Sequence, residues 1–457
     1  MLIEDYAAEG KSLARVDGKV IFTEHAVPGD RVDLVLTRNK KDWAEGRVTG
    51  FNEYSKERVN PFCSHFGICG GCQWQMLPYG RQLHYKQKQV EETLKRIGKV
   101  QLPEIMPIVG AIKTTCYRNK IEYTFSSRRF LNAEELRDPG VPSLQDSAGF
   151  HAKGIFDKVV DIDTCYLQDE PTNQLRHAIK DWAIGKRASF YDIKSHQGWL
   201  RTMQVRICTT GEIMVNLVLG YEDEEKRINL LDHILQKFPQ ITSLLYTINP
   251  KMNDSLQGLA PISYYGKGYV IEKMDDFQFK IGPKSFFQTN SAQALKLYQL
   301  SRDFAALEGR EIVYDLYCGT GSIGIFLSRL ASRVIGVELV PEAIADAMEN
   351  ASLNQIHHAS FFAGDVVNVC TDEFFGREGH PDVIITDPPR AGMHESLVKK
   401  ILEMGAQRIV YVSCNPSTQA RDLNLLDARY EVTKIQPIDM FPHTHHIENL
   451  VLLVLRK

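Results

Sequence analysis

The chain has 457 residues, 43% hydrophobic and 24% charged, an ordinary globular composition that supplies cores for about three domains. Its 54 basic and 57 acidic residues give a formal net charge of -3, so no global cationic field indicates a nucleic-acid partner. The sequence shows no long apolar span and no secretory signal, so we expect a soluble, cytoplasmic protein without membrane helices. Nine cysteines in such a chain favour metal binding or catalysis over a disulfide scaffold.

The first 53 residues alternate apolar and polar positions in short runs, separated by turn residues such as Asp17 and Gly18. This pattern predicts a small all-β domain, for which an oligonucleotide-binding type of barrel is one solution. Residues 51–130 then carry 13 Lys and Arg against 6 Asp and Glu, a local excess of 7 positive charges. Such a segment is typical either of a phosphate-facing surface or of a solvated charged face.

The next feature is a group of cysteines at positions 63, 69 and 72, with a fourth candidate at Cys165. From spacing alone, four thiolates fit structural zinc or an iron–sulfur cluster equally well. A helix is predicted over about 79–97, where apolar residues recur at three-to-four spacing. From about 107 to 283, β-rich runs with a few helices between them predict an α+β domain.

From about residue 284, continuous apolar runs alternate with helical segments, which predicts a doubly wound α/β domain. The predicted strands are 312–316, 333–337, 383–386 and 408–412. The turn after the first of them contains Tyr317, Gly319 and Gly321. Its glycines permit close backbone approach to a nucleotide-like ligand at the carboxyl edge of the sheet.

Carboxylates at the ends of the later strands indicate which nucleotide-like ligand binds. Glu338 is placed to accept hydrogen bonds from two ribose hydroxyls and would repel a 2'-phosphate, which disfavours NADP. Asp365 could accept from an adenine amino group. Together with Asp315 in the first strand, Asp365 favours S-adenosylmethionine over NAD. The alternative for Glu338 is that it only caps the helix that starts at Pro341.

The segment 387–392, Asp-Pro-Pro-Arg-Ala-Gly, is similar to methyltransferases that act on planar nitrogen groups, where an aromatic residue usually follows the prolines. Arg390 stands at that position, which disfavours amino methylation. Cys414 ends the last predicted strand beside the expected cofactor. It is either an inert, buried structural cysteine or a nucleophile.

A thiolate that adds to carbon 6 of uracil makes carbon 5 nucleophilic enough to accept a methyl group from a sulfonium. The proton on carbon 5 must then leave, which requires a general base. The candidate is Glu448, because a glutamate next to the apolar strand 450–455 is partly desolvated and so has a raised pKa. The three histidines between 443 and 446 lack the spacing expected of metal ligands.

The segments 387–392, 409–418 and 439–448 resemble the RNA uracil-C5 methyltransferases that use S-adenosylmethionine. This resemblance implies that Cys414 is the nucleophile and Glu448 the base. It also implies cofactor contacts at Gln288, which spacing alone does not reveal, as well as at Tyr317, Glu338 and Asp387. The ribosomal-RNA branch of the family carries a [4Fe-4S] cluster on cysteines that match Cys63, Cys69, Cys72 and Cys165. Methyl transfer needs no electron, so the cluster is expected to serve folding or RNA positioning.

The resemblance extends over nearly the whole chain. Residues 9–15 and 27–30 are similar to the TRAM domain, which is a small RNA-binding barrel. Residues 117–120 are similar to another element of the family. In relatives, the helix after the cysteine loop packs on the catalytic domain and makes it discontinuous. The predicted fold is therefore multidomain: an OB-like TRAM barrel (1–55), an α+β central domain with the cysteines (56–74 and 107–283) and a Rossmann-like α/β methyltransferase domain (75–106 and 284–457).

The expected function is that of a monomeric enzyme that makes 5-methyluridine in a loop of 23S rRNA, with the target base rotated out of its stack. Phe286 and Phe287 are candidates to stack on that base, although a core role is equally expected for one of them. Three alternatives remain open. The first is the same reaction on the TΨC loop of tRNA, and the second is an RNA-binding protein with a decayed active site. The third is a cytosine-C5 methyltransferase, which is disfavoured because Pro416 follows Cys414 instead of preceding it.

Overall fold

The structure is a computed structural model that describes residues 1–142 and 144–457. Within these ranges the strands form four sheets. No helix in the described ranges is long and apolar enough to span a membrane.

The N-terminal sheet consists of β1 (Asp5–Tyr6), β2 (Ser12–Val16), β3 (Lys19–Thr23), β4 (Arg31–Asn39) and β5 (Trp43–Glu53). Their order is β1-β2-β3-β5-β4, with β3 and β5 parallel and the other neighbours antiparallel. Asp17 and Gly18 join β2 to β3, and both have positive φ, as a tight two-residue hairpin turn requires. Leu2 forms an isolated bridge with Arg31. Closure of this sheet into a barrel stays a prediction.

A single long helix follows the cysteine segment. It is α1 (Tyr79–Thr93), extended by a π-helical turn over Leu94–Gly98, so the helix predicted from apolar spacing begins and ends close to the expected positions. Val90 and Leu94 are fully buried in the same apolar cluster as residues of the C-terminal sheet, and Gly98 O accepts a hydrogen bond from Asn424 Nδ2 at 3.0 Å. The helix therefore packs on the C-terminal domain. The domain boundaries themselves stay a prediction.

The central sheet has the order β12-β11-β10-β9-β6-β7-β8. Its elements are β6 (Lys120–Ser126), β7 (Ser147–His151), β8 (Val159–Asp161), α2 (Thr172–Gly185), β9 (Leu200–Ile207), β10 (Ile213–Leu219), α3 (Glu224–Lys237), β11 (Ser243–Ile248) and β12 (Ile262–Gly266). Neighbouring strands are antiparallel except β10 and β11, which α3 connects. A two-stranded hairpin, β13 (Val270–Met274) and β14 (Phe277–Ile281), leads into the last domain.

The C-terminal sheet has the order β17-β16-β15-β18-β19-β21-β20. Its elements are α4 (Ser291–Ala305), β15 (Ile312–Leu316), α5 (Ser322–Leu327), β16 (Arg333–Glu338), α6 (Pro341–Leu353), β17 (Ala359–Ala363), α7 (Val366–Val369), α8 (Asp372–Glu378), β18 (Val383–Thr386), α9 (Glu395–Met404), β19 (Arg408–Ser413), α10 (Pro416–Leu426), β20 (Tyr430–Ile438) and β21 (Glu448–Leu455). The first five strands in this order run parallel, whereas β21 is antiparallel to both of its neighbours.

Both faces of this sheet are covered. Val313 of β15 lies in one apolar cluster, and its neighbour Tyr314 lies in the other. Burial on both faces explains why the strands read as continuous apolar runs in the sequence. The arrangement leaves the carboxyl edge of the parallel strands as the place where polar side chains can gather.

Candidate active site

The predicted site residues follow the carboxyl ends of the parallel strands, which meet at one edge of the C-terminal sheet. They are Tyr317 after β15, Glu338 at the end of β16, Asp365 after β17, Asp387 after β18 and Cys414 after β19. The fold therefore brings together side chains that are almost 100 positions apart in the chain.

The turn between β15 and α5 has the conformation that its glycines predict. Gly319 and Gly321 have φ of 52° and 74°, a region that residues with a side chain rarely adopt. A Cβ atom on Gly321 would lie 3.0 Å from the Ala347 Cβ atom, so the turn also needs glycine for space. Asp315 is buried, and its Oδ2 atom accepts a hydrogen bond from Gly324 N at 2.8 Å. Burial raises the pKa of Asp315 to about 7.

Glu338 is bound to the glycine turn and does not cap a helix. Its Oε2 atom accepts from Gly319 N at 3.2 Å, and its Oε1 atom accepts from Val340 N at 3.0 Å. Helix α6 starts without a side-chain cap, so the alternative that Glu338 only caps this helix is not supported. Asp365 caps the short helix α7, since its Oδ1 atom accepts from Val367 N at 2.9 Å.

Gln288 lies in the segment between β14 and α4, and the central domain holds this segment in place. Asn119, which precedes β6, donates from Nδ2 to Gln288 O at 2.9 Å and from its backbone N to Thr289 O at 2.7 Å. Its Nδ2 atom also donates to Ser291 Oγ at 2.8 Å. Because Asn119 is itself buried, it fixes the segment of Gln288 against the start of β6.

Cys414 and Glu448 are brought together by strand register. Ser413 and Asn449 are paired residues of the antiparallel strands β19 and β21. In an antiparallel pair, the residue after one partner lies opposite the residue before the other. Cys414 therefore lies beside Glu448, which is the first residue of β21 and is buried.

The charges around this pair oppose ionisation of both groups. Burial, reinforced by the nearby carboxylates of Glu448 and Asp387, raises the pKa of Cys414 to about 11. Burial and Asp387 raise the pKa of Glu448 well above its usual value. Burial also raises the pKa of Asp387 to about 7. A desolvated carboxylate of this kind is a strong base once it has lost its proton.

Arg390 is the functional candidate that the sequence interpretation missed. The positive charge of its guanidinium opposes the rise in the pKa of both Cys414 and Glu448. Its Nη2 atom lies 2.7 Å from His446 Nδ1, and its backbone O accepts from Asn415 Nδ2 at 3.0 Å. The signal was available in the sequence, since Arg390 directly follows Asp387-Pro-Pro.

The four predicted cysteine ligands lie near one another. Burial, together with charge repulsion from the neighbouring thiols, raises the pKa of Cys69 to about 11 and that of Cys72 to about 12. Cys63 and Cys165 are among the thiols that exert this repulsion. In residues 1–142 and 144–457, however, no group of three or more His, Cys, Asp or Glu side chains is placed to hold a metal ion. The geometry therefore brings the thiols into one region without confirming a metal.

Comparison with known proteins adds three findings. The family model described as tRNA (Uracil-5-)-methyltransferase matches residues 267–456. An uncharacterized RNA methyltransferase of Bacteroides thetaiotaomicron is 52% identical over 98% of this chain and 100% of its own length. Another, from Porphyromonas gingivalis, is 48% identical over 99% of each chain.

Among solved structures, the chain is similar to the tRNA (uracil-54, C5)-methyltransferase of Pyrococcus abyssi in complex with S-adenosyl-L-homocysteine. The TM-score is 0.75 at 29% sequence identity, and the match covers 99% of this chain and 100% of the archaeal one. The likeness therefore includes the N-terminal and central sheets as well as the C-terminal domain.

Proposed function

The chain belongs to the S-adenosylmethionine-dependent RNA (uracil-C5) methyltransferases, and we propose that its substrate is a uridine of 23S rRNA, methylated through a covalent adduct with Cys414. The observation that carries this mechanism is the register that sets Cys414 beside the buried Glu448 at the carboxyl edge of the sheet.

The proposed reaction begins when the Cys414 thiolate adds to carbon 6 of the uracil and its π electrons move toward oxygen 4. The enolate carbon 5 then attacks the sulfonium methyl group that S-adenosylmethionine supplies, the methyl–sulfur bond breaks, and S-adenosylhomocysteine leaves. Glu448 then takes the proton from carbon 5, the double bond between carbons 5 and 6 re-forms, and the bond from carbon 6 to the Cys414 sulfur breaks. The positive charge of Arg390 stabilises the thiolate in the first and last steps.

The cofactor fits the residues at the edge of the sheet. The proposed contacts are Gln288, Tyr317, Gly319, Gly321, Glu338, Asp365 and Asp387. Glu338 supports this assignment because its carboxylate, already oriented by Gly319 N and Val340 N, keeps lone pairs that can accept ribose hydroxyls. The glycine turn supports it because a Cβ atom on Gly319 would meet no atom within 4 Å, which leaves the backbone there open to close approach.

We also propose that Cys63, Cys69, Cys72 and Cys165 hold a [4Fe-4S] cluster. The support is the proximity of the four thiols, all partly or fully buried, and a hydrogen bond from Gly71 N to Cys69 Sγ at 3.4 Å, the type of contact that tunes cluster sulfurs. Three of these thiols belong to the loop that precedes α1, and Cys165 follows β8. A cluster there would fasten that loop to the segment that follows β8 of the central sheet.

We propose that RNA contacts the N-terminal domain (1–55), which is expected to form an OB-like barrel, and the surface around Cys414 and Glu448. Phe286 is 71% exposed whereas Phe287 is 3% exposed, so Phe286 is the one available to stack on an unstacked base and Phe287 belongs to the core. Stacking on an aromatic ring offsets part of the cost of removing the uridine from its neighbours.

The second candidate substrate is the TΨC loop of tRNA. This candidate is favoured by the full-length similarity to an archaeal enzyme that acts on uridine 54 of tRNA. The similarity indicates that a chain with this domain organisation can methylate tRNA. Mass-spectrometric nucleoside mapping of rRNA and tRNA from cells with and without the gene tests both. Loss of 5-methyluridine from 23S rRNA supports the first candidate, and loss from tRNA supports the second.

A further inference from the structure

A buried ion pair joins α1 to the segment that leads to Glu448. Lys86 Nζ donates to Asp439 Oδ1 at 2.6 Å, and both side chains have 0% exposure. Desolvation of two charges offsets most of their attraction, so a pair of this kind is weak evidence for a gain in stability. The role of the pair therefore depends on the residues that it holds in place.

Every oxygen of the Asp439 carboxylate is occupied. Its Oδ2 atom accepts from Tyr79 OH at 2.8 Å, and its Oδ1 atom accepts from Phe441 N at 3.1 Å as well as from Lys86. Lys86 Nζ also donates to Phe441 O at 3.1 Å. On the other side, Gln293 Nε2 of α4 donates to Asp439 O at 2.7 Å. The residue is thus fixed between α1 and α4.

Asp439 is one residue away from the strand partner of Glu448. Ile438, the last residue of β20, pairs with Glu448 in the antiparallel register, and residues 439–447 form the loop that connects them. Fixing Asp439 therefore fixes one end of the loop whose other end is the proposed base.

Hydrogen bonds carry this constraint across the loop toward Glu448. Phe441 O, held by Lys86, also accepts from Thr444 Oγ1 at 2.8 Å, and Thr444 Oγ1 accepts from His446 N at 3.2 Å. His446 is two residues before Glu448. These hydrogen bonds therefore connect the ion pair to the start of β21, where Glu448 lies.

We propose that Lys86 and Asp439 are positioning residues that hold the Glu448 carboxylate where it can remove the carbon 5 proton after methyl transfer. This inference rests on the proposed role of Glu448. Proton transfer requires hydrogen-bond distance between the base and its proton, and displacement of about 1 Å can cost on the order of a hundredfold in rate. The carbon 6 attack by Cys414 and the methyl transfer do not use Glu448, so they are less sensitive to the pair.

The test is the double variant Lys86→Met, Asp439→Asn, which removes both charges and leaves neither one buried without a partner. With a uridine-containing RNA and methyl-labelled S-adenosylmethionine, release of 5-methyluridine should fall about tenfold or more. Methyl-labelled, SDS-stable protein–RNA adduct should accumulate at the same time. With 5-fluorouridine RNA, which has no proton at carbon 5 and stops at the methylated adduct, the rate of adduct formation should stay within about threefold of wild type.

A matched control uses an ion pair at the opposite edge of the same sheet. Arg333, the first residue of β16, is paired with Glu378 of α8, and the double variant Arg333→Met, Glu378→Gln should release product without labelled adduct. A milder variant, Tyr79→Phe, removes one hydrogen bond to Asp439 and should cause a smaller stall of the same kind. It keeps the inference testable if the double variant does not fold.

The outcomes separate this inference from the mechanism on which it rests. If Glu448→Gln traps labelled adduct but neither the Lys86→Met, Asp439→Asn variant nor Tyr79→Phe does, the positioning role is wrong and the base assignment stands. If Glu448→Gln itself releases product normally, the proposed base is wrong. A parallel loss of 5-fluorouridine adduct and product in the double variant would indicate a general folding defect and would overturn the positioning role.

Discussion

Cys414 and Glu448 occupy adjacent positions of one antiparallel register, because Ser413 pairs with Asn449 across β19 and β21. Strand pairing therefore places the backbones of Cys414 and Glu448 side by side, and the contacts around their side chains set where the thiol and the carboxylate lie. The carboxylate in turn raises the pKa of the thiol. The free enzyme therefore keeps its nucleophile protonated near neutral pH, even with Arg390 beside it.

The first prediction concerns the ionisation of Cys414. Because its pKa is raised to about 11, the thiolate fraction in the free enzyme should rise about tenfold per pH unit up to that value. The rate at which iodoacetamide alkylates Cys414, followed by peptide mass spectrometry, should still be climbing between pH 8 and pH 10. A plateau of the alkylation rate near pH 8 would show that the pKa of the Cys414 thiol is not raised.

Arg390 supplies the second prediction. Its guanidinium lowers the pKa of Cys414, so Arg390→Met should move the alkylation profile of that thiol toward higher pH and slow its reaction at a fixed pH, by about tenfold if the pKa rises by about 1. Covalent adduct formation at pH 7.5 should slow in parallel. Cys116, whose pKa is also raised to about 11 but by burial and Asp169, is the internal control and should keep its profile. An unchanged Cys414 profile would contradict the role of Arg390.

The third prediction tests the cofactor contact of Glu338. Replacing Glu338 with Ala removes the carboxylate that orients Gly319 N and would bind the ribose, so affinity for S-adenosylhomocysteine, measured by calorimetry, should fall about tenfold or more. Glu342→Ala, an exposed position in the first turn of α6, should bind as wild type does. Equal affinity of the two variants would remove Glu338 from the cofactor site.

The fourth prediction addresses the cysteines. Anaerobically purified protein should show broad brown absorbance and contain about four irons per chain, and Cys165→Ala should lose both. Cys370→Ala, which changes a buried thiol in the core of the C-terminal domain, should retain them. Colourless protein that contains stoichiometric zinc would show that the alternative metal from the sequence interpretation was the right one.

Much of the fold could be predicted from the sequence because the strands of a doubly covered parallel sheet are continuous apolar runs. The predicted strands at 312–316, 383–386 and 408–412 match β15, β18 and β19 to within one residue. The multidomain α/β fold is confirmed by the full-length similarity to a solved uracil-C5 methyltransferase. The residues at the strand ends were predictable for the same reason, since chain order and sheet topology place them at one edge.

The rest depended on contacts between distant parts of the chain. Asn119 holds the segment that contains Gln288, and the Lys86–Asp439 pair joins residues 353 positions apart. Neither contact leaves a periodic or spacing signal in the sequence. Likewise, the register that places Cys414 beside Glu448 depends on which strands pair, which hydrophobic patterning does not specify.

The central claim is that Cys414 attacks the base and Glu448 resolves the adduct, and the most direct measurement is the covalent state of Glu448→Gln after reaction. Incubated with substrate RNA and S-adenosylmethionine, this variant should accumulate an adduct whose intact mass equals protein plus RNA plus one CH2, which is the transferred methyl group less the thiol proton. The double variant Cys414→Ala, Glu448→Gln should form none. Normal release of 5-methyluridine by Glu448→Gln, or an adduct that persists without Cys414, would contradict the mechanism.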